Sequence, residues 1–348
     1  MRKGILIIIA ILVLSYLVIK IPLYKPPPLG TLTAKASSIT DWRYRRLIVI
    51  KEQSGNTLTN YPVLIEYNFS TLIEEGKIRP DLGDLRFADK DGNFLPYYIF
   101  ERSGDVAKIF VKVPEIPPSG ETKIYMYYGC ESATSESDAL STGIIIEDWT
   151  EDTFPSDKWI LNDPDFKWYS LEASFDPAND RVILAPYKEN AGGNVRLKAL
   201  ELPDYGFYLR ARFQDTGSSD GFRVAFYALD SDHRGVRLRF DGYYNEIVLW
   251  DASGDLASTQ LGAGAFDLVL ELYVSRLPDG NYKVKAYFDG TLKISYTGPL
   301  VRHGKKLALI GGHGLAEAYK YLWGNPPIII RPYVDPEPTY TIGPEKST

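Results

Sequence analysis

From Tyr205 onward, apolar and polar side chains alternate with a period of two, and only extended strands with one buried face satisfy that period. Phe207, Leu209, Ala211 and Phe213 share one face, and Phe222, Val224, Phe226 and Ala228 share another. Val236, Leu238 and Phe240 repeat the pattern, as do Tyr282, Val284, Ala286 and Phe288. Asp241-Gly242, Asp279-Gly280 and Asp289-Gly290 supply turns between such runs. One buried face per strand in a continuous meander predicts a sandwich of two antiparallel sheets over 147–343. The stretch 41–140 reads similarly. Arg45 to Ile50, Tyr61 to Tyr67, Asp84 to Ala88, Ala107 to Val113 and Thr122 to Tyr128 are strand-like, with a short helix over Thr71 to Lys77. Ser54-Gly55-Asn56 and Asp89-Lys90-Asp91-Gly92 are turn clusters between them. The expected fold class is all-β: two antiparallel β-sandwich domains behind one N-terminal hydrophobic helix.

That helix is read from Ile5 to Ile19, an uncharged apolar run preceded by Arg2 and Lys3 and closed by Lys20. Fifteen helical residues cover about 22 Å, short of a hydrocarbon core roughly 30 Å thick unless Lys20 snorkels. Basic residues ahead of the run and a polar domain behind it favour an inside N-terminus and an outside bulk. Residues 1–24 are therefore read as a membrane anchor or signal-like helix, and 25–40 as a stiff Pro/Ser-rich linker built on Pro26-Pro27-Pro28. A secretory signal is the competing reading, but Ala34-Lys35-Ala36 lies too far from the apolar run to be its cleavage site. Lys3-Gly4 directly before the run resembles the processing site of archaeal type IV pilin-like precursors, in which the apolar helix becomes an assembly stalk.

Composition narrows the function classes. The net charge of −6 gives a nucleic-acid role no electrostatic support. Cys130 is the single cysteine, so no intrachain disulfide forms, and an exported chain must be held by its cores, its sheets or a metal. His233, His303 and His313 make no zinc-ligand spacing.

In order along the first domain stand Trp42-Arg43-Tyr44-Arg45-Arg46, Leu58-Thr59-Asn60-Tyr61-Pro62-Val63, Asp84-Leu85-Arg86-Phe87, Leu95-Pro96-Tyr97-Tyr98, Val111-Lys112-Val113-Pro114 and Tyr125-Met126-Tyr127-Tyr128-Gly129. These blocks resemble a domain of unknown function found in many archaeal and bacterial envelope proteins, often ahead of a lectin-like sandwich. The resemblance implies an extracytoplasmic module and no chemistry. Cys130 stands where that family usually has Asn. The run from Tyr282 to Tyr296 around Phe288-Asp289-Gly290 resembles a concanavalin A-like, laminin G-like jelly roll. The ending Ile329 to Pro338 is similar to the terminus such envelope proteins share.

A jelly-roll glycosidase needs two carboxylates on one strand face. Glu246 and Asp251 are five apart, on opposite faces, and Glu147-Asp148 and Glu151-Asp152 read as solvated loop acids. No GxSxG elbow, P-loop or Cys/His pair is present, so the chain is expected not to be an enzyme. A hydrolase with an unrecognised site stays as a third alternative. Asp230-Ser231-Asp232 lies between two strands, where Asp230 and Asp232 could hold Ca2+, with a plain polar hairpin tip as the alternative. If 207–213, 222–228 and 236–240 are neighbours, Arg210, Arg212, Arg223, Arg237 and Arg239 line one sheet face. Such a face suits the carboxylates or sulfates of an acidic glycan, or else pairs with Asp and Glu across strands. Tyr243, Tyr244 and Trp250 lie near it and could stack on sugar rings. Asn68-Phe69-Ser70 is a glycosylation sequon. The expectation is a non-enzymatic, membrane-anchored surface protein binding carbohydrate or another envelope component. The alternative is a structural subunit of a pilus-like filament, surface layer or virion.

Overall fold

The computed structural model describes residues 38–166, 170–185, 191–217, 221–229, 235–241, 245–261, 264–311 and 319–348. The apolar run Ile5 to Ile19 and the proline run lie outside them. Among the described residues no helix is long and apolar enough to cross a membrane. The structure is all-β. Strands β1 (Tyr44–Lys51), β2 (Leu58–Asn68), β3 (Arg86–Asp89), β4 (Phe94–Leu95), β5 (Tyr97–Ser103), β6 (Val106–Ile116) and β7 (Glu121–Tyr128) come first. A one-turn helix, α1 (Ser70–Glu74), falls where a short helix is expected, and α2 (Ala139–Thr142) leads out of this region.

There follow β8 (Ile145–Glu147), β9 (Trp159–Leu161), β10 (Ser170–Leu171), β11 (Ser174–Asp176), β12 (Arg181–Ala185), β13 (Ala191–Leu197), β14 (Gly206–Asp215), β15 (Phe222–Ala228) and β16 (Val236–Asp241). Next are β17 (Glu246–Asp251), β18 (Gly254–Gln260), β19 (Phe266–Arg276), β20 (Tyr282–Phe288), β21 (Thr291–Gly298), β22 (Lys306–Gly311), β23 (Lys320–Trp323) and β24 (Ile328–Pro332). The last strand is β25 (Thr339–Ser347).

The first sandwich pairs a sheet ordered β25-β1-β7-β3-β4 with a sheet ordered β2-β6-β5. Its core holds Ile48, Ile50, Val63, Ile65, Phe87, Ile109, Val111, Ile124 and Met126. The strand β25 arrives from the far end of the chain and pairs antiparallel with β1 from Tyr44 opposite Ser347 to Lys51 opposite Thr339. The second sandwich is thus threaded between β7 and β25 of the first. Side chains reinforce the ladder: Lys77 Nζ lies 2.6 Å from Glu345 Oε1, and the Tyr128 hydroxyl donates to Glu345 Oε2 at 2.7 Å.

In the second sandwich one sheet runs β10-β13-β22-β15-β16-β17-β18, with β9 beside β13. The facing sheet runs β11-β12-β23-β14-β19-β20-β21, with β24 also on β14 and β8 beyond it. Phe207, Leu209, Ala211, Phe213, Val236, Leu238, Phe240, Tyr282, Val284, Ala286 and Phe288 all point into the shared core, as the period predicts. Ala228 does not. The pairing of β15 with β22 slips between Phe226 and Ala228, and Tyr227 adopts φ of 49° and turns inward instead. A bulge resets the face at that point, leaving Ala228 outside with Ala225 and Phe166. Asp289 and Gly290 both have positive φ, 48° and 75°, which matches the mirror-image turn that a two-residue hairpin requires.

The stretch Ser37–Thr348 is one compact unit, so the two sandwiches are packed against each other. Phe110 of β6 meets Tyr208 and Ile329 of the second sandwich, and Tyr205 enters the first core, where its hydroxyl donates to the Thr59 carbonyl at 2.9 Å. Arg331 of β24 is the polar centre of the junction. Its Cζ lies 5.4 Å from the Phe110 ring, 5.4 Å from Tyr208 and 5.5 Å from Tyr333, and its fork reaches Glu337 at 2.7 and 3.2 Å. Tyr61 of β2 donates to the same Glu337 carboxylate at 3.2 Å. Burial alone would favour loss of the arginine proton, but Glu337, Tyr61 and Tyr208 together more than offset it and hold the guanidinium above its ordinary range. Glu337→Gln therefore leaves a largely buried cation without its countercharge. The expected cost in chemical denaturation is about 2 kcal/mol, below that of a wholly buried pair because the Glu337 side chain is 32 % exposed. An unchanged midpoint would show that the junction does not depend on this pair.

Candidate ligand-binding face

The strands β14 and β15 belong to opposite sheets, so the five arginines do not share one face. The connection between them crosses the sandwich instead of closing a hairpin, and alternation cannot distinguish these routes because both leave one face of each strand buried. Arg210 and Arg212 lie on the outer side of one sheet, and Arg223, Arg237 and Arg239 on the outer side of the other.

The first pair is engaged locally. Arg212 makes a two-pronged contact with Asp267 at 2.8 and 2.7 Å, donates to the Asn325 carbonyl at 3.0 Å and lies 5.1 Å from the Trp323 ring centroid. Hydrogen bonding to Asp267 outweighs partial burial and raises its affinity for the proton. Arg210 donates to the Pro327 carbonyl at 3.3 Å. Cross-strand pairing thus describes Arg212 better than an open anion site does.

The second group is a true cluster. In β15–β16–β17 the register sets Arg223 opposite Arg239 and Arg239 opposite Val248, then Ala225 opposite Arg237 and Arg237 opposite Trp250. Directly opposed side chains on one face have Cβ atoms about 5 Å apart. Arg223 is buried at 4 % exposure, whereas Arg237, Arg239 and Trp250 are half-buried. The Arg237 guanidinium lies 3.9 Å from the centroid of the Trp250 ring, a cation–π contact that fixes both groups. Arg239 Nη2 donates to Glu246 Oε1 at 2.8 Å. Tyr243 and Tyr244, and the calcium candidates Asp230 and Asp232, lie outside the described residues. Among those described, no group of three or more His, Cys, Asp or Glu side chains is placed to hold a metal ion.

The carboxylates near this face are separated by the pleat. Glu246 points outward to Arg239, while Asp251 points into the core, fully buried, and accepts from Ser253 N at 2.8 Å, Ser253 Oγ at 2.6 Å and Val301 N at 2.8 Å. Glu147, expected to be solvated, is instead buried at 1 % and bonded to Lys158 at 2.8 Å and to the Trp159 indole at 3.2 Å. The reason is that β8 pairs with β24 and carries Glu147 inward, which residue type alone does not reveal.

Several motif residues of the first sandwich also meet in space, in a buried polar network. The Trp42 indole donates to the Asp84 carbonyl at 2.6 Å, and Asp84 accepts from Arg79 N at 3.0 Å and Gly129 N at 2.9 Å. Arg86 donates to the Leu85 carbonyl at 2.7 Å and the Thr134 carbonyl at 2.6 Å. A cavity of about 220 Å³ opens at the junction of the sandwiches, lined by Asn60, Lys112, Leu200, Glu201, Tyr205 and Arg331 among others.

A family model described as a domain of unknown function (DUF2341) matches residues 81–162. The match takes in the Asp84, Leu95, Val111 and Tyr125 blocks and runs on to β9. No curated protein matches the sequence. Among solved structures, the carbohydrate recognition domain of Emp47p is 14 % identical, with 57 % of this chain and 100 % of that chain covered and a TM-score of 0.40. The legume lectin-like domain from Entamoeba histolytica is 8 % identical, with 54 % of this chain and 97 % of that chain covered and a TM-score of 0.36. The Bacillus licheniformis beta-glucanase is 12 % identical over 55 % of this chain and 98 % of that chain, with a TM-score of 0.36.

Two acids on one β-strand thus have different roles. Asp251→Asn removes acceptor capacity from a fully buried cluster and is expected to cost about 1–3 kcal/mol, whereas Glu246→Gln stays within about 1 kcal/mol of the parent. Thermal melts of the two variants check this; equal costs would contradict the opposed placement.

Proposed function

We propose that this chain is a non-enzymatic surface protein whose second sandwich, working as a lectin-type jelly roll, holds an acidic carbohydrate on the outer face of β15–β17. The observation that carries the reading is the register that brings Arg223, Arg237 and Arg239 together beside Trp250. Guanidinium forks match carboxylate and sulfate oxygens two at a time, and an indole face stacks on a sugar ring. The separation of Glu246 from Asp251 by the sheet favours holding a glycan over cleaving it, since cleavage needs two acids across one bond. The run Ile5 to Ile19 serves in this reading as the membrane anchor, with the sandwiches outside.

The test is binding of the full chain to a sulfated polysaccharide and to a uronate polymer, with a neutral glucan as control. Saturable binding to an acidic polymer that weakens with salt is expected, falling about tenfold or more in the Arg237→Ala, Arg239→Ala double variant. No binding to either polymer would overturn the proposal.

A second reading, an assembly subunit, is favoured by one observation: Lys3-Gly4 directly ahead of the apolar run. Sequencing the N-terminus of the protein from native membranes separates the two. A start at Ile5 favours assembly, and a start at Met1 favours anchoring.

A further inference from the structure

The interior of the second sandwich contains an ion pair that the ligand face does not use. Asp215 ends β14 and continues the inward row of Phe207, Leu209, Ala211 and Phe213. Lys320 opens β23, two residues before the inward Leu322, and stands directly opposite Asp215 in the strand pairing. Neither side chain has any exposed surface, and Lys320 Nζ lies 3.5 Å from Asp215 Oδ2. The other carboxylate oxygen, Oδ1, accepts the backbone N–H of Gly217 at 3.1 Å. Next to the pair, Thr216 N donates to the Tyr319 carbonyl at 3.1 Å and Tyr319 N donates to Thr216 Oγ1 at 2.8 Å, which fixes the two strand ends relative to each other. Phe213, the inward neighbour of Asp215, packs on Phe222 at 4.9 Å and Phe240 at 5.1 Å, so the surroundings on that side are aromatic.

We propose that Lys320 and Asp215 condense spontaneously into an intramolecular isopeptide bond, Nζ to Cγ, tying β14 to β23. The amine and the carboxyl are held at close range by two paired strands, which removes most of the entropic cost of bringing them together. Away from water, an ammonium and a carboxylate lose their hydration, and the neutral amine and acid become accessible. The ammonium passes one proton to Oδ2, and the nitrogen lone pair attacks Cγ. Negative charge develops on Oδ1, where the Gly217 N–H already points. The nitrogen then gives a second proton to Oδ2, the Cγ–Oδ2 bond breaks, and one water leaves. Of the three ammonium hydrogens, one stays on the amide and two depart with Oδ2. The sum is one amide and one water, with no oxidant, reductant or co-reactant. In a chain whose single cysteine, Cys130, cannot form an internal disulfide, such a bond is a covalent brace within the sheet.

The test is denaturing mass spectrometry of the full chain, followed by proteolysis and peptide sequencing. The expected results are an intact mass lower than that of the sequence by one water and a branched peptide joining the Asp215 and Lys320 segments. The Lys320→Arg variant keeps the positive charge and is expected to show the full mass. Recovery of Asp215 and Lys320 in separate, unmodified peptides of the parent protein would overturn the proposal, and that measurement does not depend on whether any variant folds. A mass deficit that persists in Lys320→Arg would overturn it too.

Discussion

The open edge of β1 is the constraint on which the rest of the structure depends. That strand lies between β7 and β25, and β25 is reached only after the chain has built the whole second sandwich. An unpaired edge exposes a row of backbone N–H and C=O groups and invites association with other chains. Here the edge is closed by the same molecule, through seven residues of register between Tyr44 and Lys51. The second sandwich is therefore an insertion, joined to the first by two connections rather than one.

Two connections restrict how the sandwiches can move, and the junction chemistry restricts them further. Arg331 binds Glu337 on the returning segment and lies among aromatic rings from both sandwiches, while Tyr205 reaches from the second into the first core. The polar network of Trp42, Asp84, Arg86 and Gly129 lies within the first sandwich. Those motif residues build a platform. The cluster of Arg223, Arg237, Arg239 and Trp250 lies on the other sandwich, on a sheet that does not include the strand carrying Arg331.

Much of this was legible in the sequence, because period-two alternation reports directly on burial. Phe207 to Phe213, Val236 to Phe240 and Tyr282 to Phe288 face the core as read. What alternation does not encode is which strand lies beside which. A continuous meander would group Arg210 and Arg212 with Arg223, Arg237 and Arg239, and the crossing between β14 and β15 separates them. Alternation misplaces Ala228 because a bulge breaks the period locally, and residue type misplaces Glu147 because its burial comes from pairing with a strand near the other end of the chain. Likewise, Thr339 to Ser347 carries no mark of its partner, since a nine-residue edge strand looks the same whichever sheet it joins.

The most direct test of the account is calorimetric unfolding of the chain 38–348 beside a chain ending at Pro338. The insertion predicts one cooperative transition for the longer chain, and for the shorter one an early transition of the first sandwich with association through the bared β1 edge. Identical unfolding of the two chains, with both monomeric, would contradict it.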